Sequence, residues 1–304
     1  MKNTLREKKK ISVFNVILHT FMILMCLCYI IPLLLVISAS FTSQEWLQSG
    51  KGIKLFPPDF TLDGYRSAFG NAERTLRAYW ITFSQAVIGT LISGVSGGMI
   101  GYALSRSNFR FRKPITAIVF FTMLYGAGMI PRYLVYAQMY HITNTYWVYI
   151  LPSISCGAWN ILVYRTFFKG LPESLFESAR LDGAGELTAF MKIAVPLSKP
   201  VFASIGFMTL VGSWNNYTTS MIYIRNEKLY TLQYLLQRII KEADFLKALA
   251  AETGDMAKIE IVANVPTENL KFALCVVAAG PMLLVFPFFQ KYFSKGLTIG
   301  AVKG

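Results

Sequence analysis

The sequence predicts an all-α integral membrane protein: six transmembrane helices in one domain spanning 1–304, with N- and C-termini in the cytoplasm. Three observations lead there. Apolar residues make up 54% of the 304 positions and the mean hydropathy is +0.45, a balance found in membrane rather than soluble domains. Apolar runs recur six times, each near the ~20 residues that cross a hydrocarbon core. Lys and Arg collect in alternate connecting segments, as the positive-inside rule requires.

The first span is expected over 12–39, because Ile11 to Gln44 carries no charge. The run is too long for the apolar region of a signal peptide and no convincing cleavage site follows, so it reads as a retained helix. Pro32 would bend it near its outer end. Residues 40–78 are polar, hold Pro57-Pro58, and read as an external loop with a short helix near Leu62 to Phe69. A second uncharged run predicts a span over 79–105, with Gly94, Gly97, Gly98 and Gly101 as a small-residue stripe that lets helices approach closely in lipid.

Arg106, Arg110, Arg112 and Lys113 then form a basic loop. The third span, 115–138, is interrupted at Gly126, Gly128 and Pro131, with Arg132 just past the break. Arg132 either snorkels to the outer interface, the commoner behaviour and the favoured reading, or faces a water-filled cavity. The fourth span, 146–168, ends at Arg165 and Lys169. After a polar segment over 170–200 comes the fifth, 201–224, which contains Trp214-Asn215-Asn216-Tyr217. Two adjacent amides in an apolar run must find partners or face water. Leu232, Leu235, Leu236, Ile239 and Ile240 predict an amphipathic helix in the external segment 225–268, followed by a loop to Pro266. The sixth span is expected over 270–289, bent by Pro281 and Pro287, with a short basic tail over 290–304.

Charge tests this topology. Segments assigned to the cytoplasm hold 17 Lys/Arg against 5 Asp/Glu, whereas the external segments hold 11 of each. The net charge of +14 is therefore mainly a topology signal, and nucleic acid is not an expected partner. The four cysteines, Cys26, Cys28, Cys156 and Cys275, lie in apolar runs and read as inert packing residues. His19 and His141 stand far apart, so no metal site is expected.

Other function classes are disfavoured by what is missing. No G-x-x-x-x-G-K-[ST], H-E-x-x-H or G-x-S-x-G occurs, so neither catalytic residues nor a cofactor bound by this chain is expected. The spans hold no Asp or Glu, where a secondary transporter or membrane enzyme would place ionisable groups and a channel a filter or charged ring.

The most informative polar stretch is Glu177 to Pro200, ESARLDGAGELTAFMKIAVPLSKP. It reads as two short helices around a break at Asp182-Gly183, with Gly185 adding freedom. Leu175, Phe176, Ala179 and Ala184 line one side of the first piece. Leu187, Phe190 and Ile193 form a stripe on the second, which Pro196 and Pro200 would stop. By spacing alone such a hairpin either rests on the bilayer surface or meets a partner.

Glu177-Ser178-Ala179, Asp182-Gly183-Ala184, Phe190, Ile193, Pro196-Leu197 and Pro200 together resemble the EAA loop of bacterial ABC-importer permeases, with Ser178 where that family usually has Ala. Gly101 to Arg106, Trp214-Asn215 and the ending Gln290 to Phe293 extend the resemblance over nearly the whole chain. It is nearest to the carbohydrate, maltose-type permeases that take up complex oligosaccharides. The resemblance implies a type I ABC-importer permease fold in the bacterial cell membrane. It implies a heterodimer with a second permease, two cytoplasmic ATPase subunits carrying ATP and Mg, and an extracellular solute-binding protein that delivers a sugar. Glu177, Ser178, Ala179, Asp182, Gly183, Ala184 and Phe190 would then form the ATPase-coupling element, Glu177 meeting a basic residue of the ATPase or favouring its own helix N-terminus. Trp214, Asn215, Asn216, Tyr217 and Arg132 are candidates for the substrate pathway. A permease for a non-sugar solute, or a secondary transporter, is the alternative.

Overall fold

The computed structural model describes residues 13–70, 72–253 and 267–301, and among these every regular element is helical. The basic start of the chain and the expected loop over 254–266 lie outside the described residues.

Among the described residues three helices are long and apolar enough to cross a membrane: Val13–Ser40, Ala72–Ser105 and Glu268–Lys291. Three bent pairs meet the same measure of length and apolarity. They are Arg112–Leu124 with Met129–Met139, Trp147–Ser155 with Ala158–Lys169, and Glu186–Leu197 with Lys199–Trp214, bent by 113°, 41° and 81°. The expected third span is therefore no single rod. Its break falls where glycines were read, and Gly128 takes a φ of +82° that a residue with a Cβ adopts only under strain.

Two further breaks depart from expectation. The fourth span breaks at Cys156-Gly157, with Cys156 at φ +48°. The fifth ends as a regular helix at Trp214 after 16 residues, about 24 Å at 1.5 Å per residue and short of a ~30 Å core. After the turn at Asn215–Tyr217 a short helix, Thr218–Tyr223, follows. The last helix runs from Thr267 to Ala301 with Pro281 and Pro287 inside it, so most of the expected tail is helical. Pro32 likewise lies within an unbroken Val13–Ser40 helix.

The chain divides into two units. One takes in the first 70 residues and Glu242–Val277. Its first helix is exposed along most of its length and buries only Ser38, Ala39 and Ser40, as expected of a surface made for lipid or another membrane helix. The short helix expected near 62–69 is present as Asp63–Ala68. Gln44 caps the last helix, its Oε1 accepting from the backbone N–H groups of Glu268 and Asn269 at 3.0 and 3.1 Å. Lys271 Nζ lies 2.9 Å from the Asp244 carboxylate.

The other unit comprises Asn71–Lys241 and Ala278–Gly304. At its centre is Ala72–Ser105, 34 residues and about 51 Å long. The glycine stripe packs it against Ala158–Lys169 and Lys199–Trp214. A Cβ on Gly101 would come 2.6 Å from Tyr164 Cβ and 3.0 Å from the backbone nitrogen of Arg165, and one on Gly98 would meet the Phe202 ring at 2.7 Å. Close approach of this kind is what the spacing predicted. At one end Tyr149 Oη bonds Ser220 Oγ at 2.6 Å and donates to the Leu229 carbonyl at 2.9 Å, closing a cluster with Val148, Tyr223 and Tyr230. The amphipathic helix starts there at Leu232, whose N–H donates to Thr82 Oγ1 at 2.7 Å.

Candidate functional site

The polar stretch after the fourth span folds as the expected hairpin. Its first helix is Glu173–Leu181. The Gly183 N–H donates to the Arg180 carbonyl at 3.0 Å and the Ala184 N–H to the Ala179 carbonyl at 2.9 Å. With Gly183 at φ +79°, these two bonds form a Schellman cap that fixes the chain's exit. Gly185 has an ordinary φ of −71°, so the extra freedom ascribed to it is not used. The second helix, Glu186–Leu197, contains a widened π-helical turn at Phe190–Ala194. Pro196 follows that turn without stopping the helix. The break falls at Ser198, and Pro200 sits in the first turn of Lys199–Trp214, where a missing N–H costs nothing.

The hairpin is rooted in the spans by two buried rings. Phe176 and Phe190 are 1% and 4% exposed and join Tyr102, Tyr164, Phe168 and Ile205 in one cluster. The Tyr102 ring lies 5.3 Å from that of Phe190 and 6.0 Å from that of Phe176. Phe190 thus holds the hairpin in place and presents no surface of its own.

A charged network surrounds this root. Arg106, buried at the end of the central helix, donates from Nη1 to Glu173 Oε2 at 3.1 Å. Its guanidinium lies 3.9 Å over the Phe176 ring, a cation–π geometry. Arg180 reaches Glu173 at 3.6 Å and Glu186 at 3.4 Å, and Tyr102 Oη donates to Glu186 Oε2 at 2.9 Å. Two cations and two carboxylates balance, so a buried guanidinium carries no uncompensated charge. Sequence reading missed Glu173, Arg180 and Glu186, because they meet only through the fold. It is also Glu173, and not Glu177, that occupies the first helical turn.

Outward, the hairpin presents an unsatisfied face. Glu177, Ser178, Asp182 and Gly183 are exposed, and Ala179 and Ala184 are half-buried. Leu181 is 89% and Leu187 63% exposed. Apolar side chains beside free carboxylates on a rigid support suit docking onto another protein.

Away from the hairpin the same unit forms an open polar cavity of about 490 Å³. Arg132, Tyr136, Tyr149, Asn160, Asn216 and Tyr223 are among its lining residues. Arg132 therefore borders a cavity, the second of the two placements considered from sequence. Asn216 also lines it, while its Oδ1 accepts from the Thr219 N–H at 3.0 Å. Trp214 does not. It is 2% exposed, donates from Nε1 to the Ala278 carbonyl at 3.0 Å and faces an apolar crevice. Asn215 lies within 3.4 Å of Gln233 Nε2, and Asn215 and Tyr217 are exposed but outside the cavity lining. Cys156, expected as simple packing, sits at the break beside the cavity and accepts from Ser93 Oγ at 3.3 Å. No cluster of metal-ligating side chains occurs among the described residues.

Comparison with known proteins bears on this arrangement. The family model described as "binding-protein-dependent transport system inner membrane component" matches residues 93–299, a stretch that contains the hairpin and every lining residue of the cavity except Gln85. The chain belongs to this family. It is thus a multi-pass membrane permease subunit. Among its relatives is the polygalacturonan/rhamnogalacturonan transport system permease protein YtcP of Bacillus subtilis, 36% identical and covering 97% of this chain and 100% of the relative. The arabinooligosaccharides transport system permease protein AraQ of the same organism is 28% identical over 99% of this permease and 100% of its own length. A solved structure described as a bacterial ABC transporter importing the acidic polysaccharide alginate matches with a TM-score of 0.72 and 27% identity. It covers 92% of this permease and 96% of the matched chain.

Proposed function

We propose that this permease moves a sugar or oligosaccharide into the cytoplasm as one half of a heterodimer, with six spans and both termini inside. In this reading an extracellular solute-binding protein delivers the saccharide, and two cytoplasmic ATPase subunits bind ATP and Mg and supply the energy. This chain does not itself hydrolyse ATP. The substrate class is supported by relatives named for saccharide transport. The coupling role is supported above all by one observation: a hairpin anchored on its inner side by Phe176, Phe190 and the Arg106–Glu173 pair, with Leu181 and Leu187 left bare outside.

Such a hairpin transmits displacement because its own turn is fixed and its root is buried. Closure of the ATPase pair would push the outer face, and the buried rings would carry that motion into Ala72–Ser105 and Lys199–Trp214. Nucleotide then biases two arrangements of the spans, one opening inward and one outward. Glu177, exposed and without a side-chain partner among the described residues, is placed to pair with a basic residue of the ATPase. Glu177→Lys should lower both ATPase co-purification and saccharide uptake about tenfold, as loss of a charged contact does. Retention of both would remove Glu177 from the coupling contact, and failure of the native chain to co-purify with any ATPase would remove the coupling role.

A further inference from the structure

We propose that Arg132 recognises a carboxylate, and that the saccharide passing this subunit is anionic, carrying uronate groups. The inference rests on the saccharide reading above and narrows it. Among the described residues Arg132 is the one charged side chain lining the polar cavity, and neither that cavity nor the second one it borders is lined by an Asp or Glu. A guanidinium stays protonated at any physiological pH, so the cavity holds a positive charge with no acid in its walls. Within a membrane such a charge is costly unless water or an anion solvates it, and an open polar cavity lets either reach it.

The backbone is bent to put it there. Arg132 lies four residues after Gly128, whose positive φ falls at the 113° break between Arg112–Leu124 and Met129–Met139. Tyr136, Tyr223, Asn160 and Asn216 line the same cavity, side chains whose polar groups suit the hydroxyls of sugar rings. The guanidinium fork adds what these cannot, two parallel N–H bonds to a carboxylate. The cavity is open enough that Arg132 itself counts as exposed, so the pair forms in a wet site and releases its ligand.

The test uses the complete importer in proteoliposomes with its own binding protein. Uptake of trigalacturonate is compared with that of its carboxyl-methyl ester, which keeps the ring hydroxyls and loses the charge. The native importer should favour the uronate by at least about tenfold, the least that a charge-assisted bidentate pair is worth. Arg132→Gln should abolish most of that preference, read as the ratio of uronate to ester uptake, while ATPase assembly stays intact. Because the binding protein is the same in both, a changed ratio belongs to the permease. Arg132→Lys, which keeps the charge and the volume, should retain part of the preference and guards against a folding defect in the first variant. An unchanged ratio in Arg132→Gln, or equal loss of both substrates in both variants, overturns the assignment. Native uptake of ester and uronate alike overturns it too and leaves the saccharide reading standing. Uptake of neither overturns both.

Discussion

Gly183 shows how much of the hairpin depends on one missing Cβ. Its φ of +79° is sterically free for glycine and costs an L-residue about 1–2 kcal/mol. Gly183→Val should therefore loosen the Schellman cap and lower ATPase co-purification several-fold, with the spans still folded by circular dichroism. Gly185→Ala is the control. Gly185 has an ordinary φ, and a Cβ there meets nothing within 4 Å, so it should behave as the native chain does. Sequence reading placed this turn at Asp182-Gly183 but also ascribed freedom to Gly185 that the fold does not use, since composition does not report the sign of φ. It also named Phe190 for the coupling element while its role is internal, because a stripe at helical spacing shows which residues share a face and not which neighbour that face meets.

At the scale of elements, the glycine stripe of the central helix was legible and the helix breaks were only partly so. Gly97, Gly98 and Gly101 are buried, and a Cβ at 101 would collide with both a side chain and a backbone nitrogen. Gly101→Leu should separate Ala72–Ser105 from Ala158–Lys169 and abolish folded yield in size-exclusion chromatography. Gly94→Ala should be tolerated, since its Cβ would sit 4.0 Å from Tyr164 Oη. The break after Leu124 announced itself through Gly126 and Gly128. The break at Cys156-Gly157 did not, because the residue at positive φ is a cysteine and the run around it is apolar. The turn at Asn215–Tyr217 was visible as amides out of place; of the residues named there Asn216 lines the cavity, while Trp214 is buried and bonds the Ala278 carbonyl. The charged network at the hairpin root left no trace in spacing: Arg106 and Glu173 are 67 positions apart.

For the whole molecule, charge asymmetry predicts the side on which each segment lies, and labelling checks it directly. In a cysteine-free background, Glu177→Cys should react with an impermeant maleimide only from the cytoplasmic side, and Ser49→Cys only from the outside. Reaction of both from one side would invert or break the assigned topology. Fold class and family were readable from hydropathy and from the hairpin's fixed spacing, because lipid and docking impose regular patterns. The cavity was not, since its walls come from helices brought together by packing.

The seam at Gly97, Gly98 and Gly101 carries an implication for how such a transporter changes its cargo. Helices pressed together with no space for a methyl group have no slack to widen a passage or to accept bulkier residues. Adaptation to a longer or differently shaped ligand has to draw on the loosely held points instead: the bend after Leu124, the kink at Cys156-Gly157 and the turn at Asn215–Tyr217. Sequence divergence among permeases of different appetite should accordingly gather at those three places and leave the glycine seam alone.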